Sequence, residues 1–105
     1  MFIRKTLCLA ALLSVVMVPP LSARQLSQGA ELTLAAPASK TEFVIDAAVW
    51  TCDGAACRSR FVDDMPALRS CKRVVAETGA VTAFTWRGKT LSEDEIRVCN
   101  TRAKA

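Results

Sequence analysis

The chain has 105 residues, a formal net charge of +4 and 51% apolar residues, with five cysteines and neither histidine nor tyrosine. Without histidine there is no Ser-His-Asp or Cys-His pair, no histidine-held metal and no haem attachment through Cys-x-x-Cys-His. The length suits one small domain.

Residues Met1 to Ala23 read as an export signal. Arg4 and Lys5 give a positive start, Leu7 to Val18 form the apolar run, and Pro19-Pro20 precede Leu21-Ser22-Ala23 at the expected cleavage point. A helix over that run rises only about 18 Å against a hydrocarbon core of about 30 Å, so no stable membrane span is expected after cleavage. Cys8 falls inside the leader without a lipid-attachment pattern. Arg4 and Lys5 also carry two of the four net charges, leaving about +2 on the remainder.

Residues 24–41, rich in Ala, Ser, Gln and Pro, read as a flexible tether in which Glu31-Leu32-Thr33-Leu34 forms an extended piece. The compact disulfide-stabilised domain is expected over 42–105. Phe43 to Thr51 has strand-favouring composition, with Phe43, Ile45, Ala47 and Val49 alternating onto one face. Asp53-Gly54 marks a turn, and Arg60-Phe61-Val62 reads as a short returning strand. Asp64-Met65-Pro66 looks like a helix start capped by Asp64 or Met65. Leu68, Cys71 and Val75 then recur at helical spacing until Gly79.

Ala80 to Trp86 is a further strand candidate, with Val81, Ala83 and Thr85 alternating against Thr82, Phe84 and Trp86. Arg87-Gly88-Lys89 turns the chain, and Thr90-Leu91 resumes pairing. Ser92 and Glu95 have capping-box spacing, and Ile96, Cys99 and Ala103 share a helical face. The expected fold is a small α+β domain, stapled by disulfides, with short antiparallel strands and two helices.

Cys52, Cys57, Cys71 and Cys99 follow the leader, and an even set in a small exported domain reads as two disulfides. Three pairings exist. Placement on the elements favours Cys52–Cys57, which flank one tight turn, and Cys71–Cys99, on the apolar faces of the two helices. A redox site would instead make Cys52 and Cys57 an exchangeable pair. Four residues separate them rather than two, and no helix start follows Cys52 to lower its pKa. Zinc would need a second knuckle that Cys71 and Cys99 do not match. Glu93-Asp94-Glu95 lacks the alternating oxygen ligands of a calcium loop and is accounted for by helix capping.

The basic stretch Arg58, Arg60, Arg69, Lys72 and Arg73 is interrupted by Asp53, Asp63, Asp64 and Glu77 and has no aromatic interleaving. It reads as a solvated mixed-charge surface, not a nucleic-acid site. Trp50 and Trp86, at strand ends beside turns, read as core or rim residues, with ligand binding as the alternative.

The segment Val49-Trp50-Thr51-Cys52, then Cys57, Cys71, Thr85-Trp86-Arg87-Gly88-Lys89-Thr90-Leu91 and Val98-Cys99-Asn100 resembles a known set. It is similar to a family of small exported proteins from alphaproteobacteria, known through a Caulobacter locus label, over the leader and about Lys40 to Ala105. Trp86 and Arg87 stand where smaller residues are typical of that family. The resemblance implies export and a four-cysteine scaffold. It carries no activity and no functional residue.

The expectation is therefore a non-enzymatic, periplasmic or secreted domain without cofactor or metal, meeting an unknown envelope protein or ligand through its surface. The alternative is a thiol-disulfide redox protein using Cys52 and Cys57.

Overall fold

Three two-residue turns lay out most of the sheet. The computed structural model describes residues 27–105, so the expected leader, Met1–Ala23, lies outside the described residues. Six strands and two helices follow in order: β1 Ala30–Leu34, β2 Glu42–Ile45, β3 Ala48–Asp53, β4 Ala56–Ser59, α1 Ala67–Thr78, β5 Val81–Trp86, β6 Lys89–Thr90 and α2 Glu93–Asn100. All strand pairs are antiparallel, in the spatial order β2-β3-β4-β1-β5-β6. This is the α+β class that the sequence predicts.

The run Phe43–Thr51 is not one strand. Ile45 pairs with Ala48, leaving Asp46 and Ala47 as a two-residue loop, with φ of 51° and 68°. Two successive positive φ values define a type I′ hairpin turn, which matches the natural twist of the strands. Aspartate tolerates that conformation, whereas alanine meets a steric penalty there. Ala47→Gly is therefore expected to stabilise the domain by about 0.5–1 kcal/mol, raising the urea midpoint at constant slope.

Gly54 and Ala55 make the next two-residue loop, with positive φ at Gly54 only, the type II′ pattern. So early a return starts β4 at Ala56, and Arg60-Phe61-Val62 is loop rather than the expected strand. Arg87 and Gly88 form the third loop, again with φ positive at both residues; the chain returns as expected, but Lys89, expected in the turn, already belongs to β6.

The larger departure concerns residues 24–41. Ala30–Leu34 is the inner strand between β4 and β5, so the extended piece expected at Glu31–Leu34 is present but belongs to the sheet and not to a tether. Leu32 faces Cys57 on one side and Phe84 on the other. Ala30, Leu32 and Leu34 are buried and alternate with Glu31 and Thr33, the period-2 pattern of a half-buried strand. The compact unit therefore includes β1, well ahead of Glu42. The Gln28 and Gly29 carbonyls extend this anchorage by accepting from the Val62 and Arg87 amides.

Between Thr33 and Leu34 the β1–β5 register slips, so that Thr82 is the extra residue of a bulge. The slip reverses parity and puts Val81 on the same buried face as Phe84 and Trp86, not the opposite face as strict alternation predicts. With Trp50, Val74, Val75, Cys71 and Cys99, these residues form the centre of the core on the helical side of the sheet.

Helix α1 is capped at Pro66, not at Asp64 or Met65, and no side chain caps it. Proline fits because its φ is preset and the Pro66 carbonyl accepts the Ser70 amide. The helix stops at Gly79, whose φ of 103° few side chains adopt. Helix α2 has the predicted capping box, with Ser92 and Glu95 exchanging side-chain and backbone bonds.

Candidate functional site

The structure joins Cys52 to Cys57 and Cys71 to Cys99. Hairpin geometry makes the first pair. Asp53 and Ala56 close the turn, so Cys52 and Cys57 sit directly opposite one another one position further on. The Cys52 amide points away from β4, donating to the Thr41 carbonyl. Cys52 and Cys57 are thus a non-hydrogen-bonded pair, where facing side chains come closest; their Cα atoms are 4.0 Å apart. Cys71 and Cys99 meet where α1 crosses α2, as their placement on the apolar faces predicts, and both are 0% exposed.

Asn100, next to Cys99, fastens the other end of this joint. Its side-chain oxygen accepts from the Val81 amide at 2.9 Å, and its side-chain nitrogen donates to the Val81 carbonyl at 2.8 Å. The amide group thereby acts as one residue of an additional strand beside β5.

The two tryptophans are core. Trp50 is 1% exposed and Trp86 7%, and rings of Phe43, Trp50, Trp86 and Phe84 follow one another at centroid separations of 5.9–6.5 Å. The Trp86 indole donates to the Asp63 carbonyl at 3.1 Å. Both rings are covered, so Trp50 and Trp86 are core residues, the first of the two readings of the sequence. Among the described residues, no group of three or more His, Cys, Asp or Glu is placed to hold a metal, and no helix is long and apolar enough to cross a membrane.

The candidate site lies instead between β2 and α1. The helices pack on one another and on β5, which leaves a gap beside the outermost strand, β2. Towards the β2–β3 turn the gap is a groove of about 640 Å³, lined by Val44, Ile45, Asp46, Arg69, Lys72, Arg73, Ala76, Glu77 and Arg102. Towards the chain end it continues as a cleft of about 480 Å³ that also takes in Lys40, Glu42, Thr78 and Lys104.

The β2 backbone has one free side. Ile45–Ala48 closes the turn and the Cys52 amide reaches Thr41, so Ile45, Phe43 and Thr41 bond inward to β3. The alternate residues, Glu42 and Val44, direct their amides and carbonyls outward. Val44 is also 63% exposed and faces Val49, itself 51% exposed, on the open surface of the sheet.

One ion pair spans the groove. Arg73 donates through Nε and Nη2 to the two Asp46 carboxylate oxygens, at 2.6 and 2.5 Å. These bonds hold the Asp46 carboxyl below, and the Arg73 guanidinium above, their ordinary values. They also fix the β2–β3 turn against α1. Arg69, Lys72, Arg102, Lys40 and Lys104 lie within 4 Å of no carboxylate among the described residues. The basic stretch that reads as a mixed surface is thus divided in space. Arg58 lies on the open sheet face, while Arg69, Lys72 and Arg73 line the groove. Their spacing of three and four on one helix was the sequence feature that foreshadows this.

Because Asp46 has its folded pKa depressed, its pairing adds stability above the ordinary carboxylate range, and that contribution is lost as pH falls through the folded value. Glu95 behaves alike, its carboxylate held ionised by the Ser92 amide. Asp46→Asn is expected to flatten the acid limb of the stability–pH curve below about pH 4, where wild type loses stability. Urea midpoints from pH 2 to 7 check this; identical acid limbs would contradict it.

A model of a family of unknown function, DUF8200, matches residues 11–101, and the chain belongs to that family. No curated protein and no solved structure matches it.

Proposed function

We propose that this member of the family is a non-enzymatic, exported, periplasmic or secreted module, held rigid by its disulfides, that acts by binding an envelope partner. Its resemblance to small exported alphaproteobacterial proteins and the leader-like Met1–Ala23 segment support export. The observation that carries the reading is the burial of both sulfur bridges. Cys52 and Cys57 are 5% and 3% exposed, and Cys71 and Cys99 are fully enclosed. Thiol exchange needs an attacking thiolate to reach a disulfide sulfur along its axis, and buried bridges obstruct that approach. A covalently braced scaffold with an open groove serves recognition better than turnover.

Fractionation of the native source, followed by alkylation and mass mapping, tests this. Periplasmic or secreted material with both bridges closed, about 4 Da lighter than its reduced form, is the expected result. Cytoplasmic protein with free thiols overturns export. Catalytic reduction of a disulfide substrate, with a Cys52–Cys57 potential well above about −300 mV, overturns the non-enzymatic reading in favour of the redox one.

A further inference from the structure

From the free side of β2 and the charge beside it, we infer that the groove between β2 and α1 receives an extended acidic peptide segment, added as a seventh strand of the sheet. This rests on the reading of the domain as a binding module and names the chemistry of its partner.

Two independent features converge on that occupant. The outward amides and carbonyls of Glu42 and Val44 present the hydrogen-bonding pattern that an incoming strand satisfies. An edge kept free of neighbours is normally blunted by a charge, a proline or a bulge. β2 is short and carries one charge, Glu42, but it has no proline and no bulge, and Val44 leaves an apolar step at which a β-branched residue packs. The second feature is electrostatic. Arg69, Lys72 and Arg102 stand across the groove from β2 without carboxylate partners; of the two carboxylates that line it, Asp46 is held by Arg73, and with Glu77 counted the four cations still leave a net charge of +2.

Side chains of an added strand alternate between two faces. Those turned towards α1 meet Arg69, Lys72 and Arg102, and those turned the other way lie beside Val44. The preferred sequence therefore alternates acidic and β-branched residues. A second copy of this chain is disfavoured as occupant because pairing through β2 would bring two basic grooves together. An anionic lipid surface would meet the cations but leave the strand edge unsatisfied.

The test uses the oxidised full-length protein and the capped heptapeptide Thr-Glu-Val-Glu-Val-Glu-Thr. Controls are the same peptide with lysine for glutamate, the acidic peptide with alternate backbone amides methylated, and vesicles of phosphatidylglycerol. The expected result is saturable binding that shifts the amide resonances of Glu42–Ile45 and of Arg69–Glu77, with each peptide control at least about tenfold weaker. Val44→Pro, which removes an outward amide, and the double variant R69E/K72E are each expected to weaken binding by about tenfold or more, with the near-UV dichroism of the folded core retained.

Equal binding of the lysine peptide, shifts confined to another face, vesicle binding without peptide binding, or β2-mediated dimerisation in sedimentation each overturns the inference. If the peptide fails while an envelope protein cross-links elsewhere on the domain, the groove assignment falls and the binding-module reading stands. Disulfide-reductase turnover would remove that reading itself.

Discussion

A chain that begins at Glu42 is expected to show no cooperative unfolding transition, whereas one that begins at Arg24 should unfold in a single step. The difference is β1. It supplies the ladder to β4 through Ala30–Thr33 and the ladder to β5 through Ala30–Leu34. Without it the sheet separates into a three-stranded and a two-stranded piece, each exposing a long unpaired edge. Burial of Leu32 and Leu34 alone contributes about 3–6 kcal/mol, at about 1.5–3 each, a large share of the 5–15 kcal/mol typical of whole domains. Urea titration followed by tryptophan fluorescence is a direct measurement, because Trp50 and Trp86 are both buried beneath this sheet. A sigmoidal transition in the shorter chain would show that β1 is dispensable.

The second large effect belongs to the helix–helix bridge. Removing it with Cys71→Ala/Cys99→Ala is expected to destabilise the domain by about 4–5 kcal/mol. The loop it closes spans 28 residues, for which chain entropy in the unfolded state gives about 3.6 kcal/mol. Packing adds to this, since both sulfurs are at 0% exposure and alanine leaves a void. The Cys52–Cys57 bridge closes only a five-residue separation, and its removal by the equivalent change is expected to cost about 2 kcal/mol or less. The turn and ladder of that hairpin already bring its strands together. Urea midpoints for the two double variants should therefore fall in that order, and the reverse order would sink the assignment of the main staple.

Much of the α-helical part was legible in the residues. Ser92 and Glu95 announce α2 by their spacing, and Cys71 and Val75, with the half-buried Leu68, mark the core side of α1. Those same patterns place Cys71 and Cys99 where they meet. The sheet was harder to read because its turns and register depend on tertiary partners. Asp46-Ala47 lacks the glycine that normally betrays a type I′ turn, and the turn is secured by Arg73, 27 residues away. The bulge at Thr82 overrides the alternation that would otherwise turn Val81 away from the core. In β1 the apolar alternation of Ala30, Leu32 and Leu34 is plain in retrospect. It spans only five residues, inside a stretch whose Ala, Ser and Pro content speaks for a linker. The groove was less visible still, since it joins an edge strand to helical residues some 25 to 30 positions later, and only folding sets those charges beside a free backbone.

Placing an early segment at the middle of the sheet also governs when the molecule can become whole. Translation delivers Leu32 first, but its two neighbours arrive with Cys57 and, roughly fifty residues after it, Phe84. Until the second of these has emerged, one flank of β1 lacks its mate, and the half-built sheet keeps an open edge. Any emergence of the chain from its amino end, at the ribosome or across a membrane, thus leaves the sheet unfinished until the last third is available.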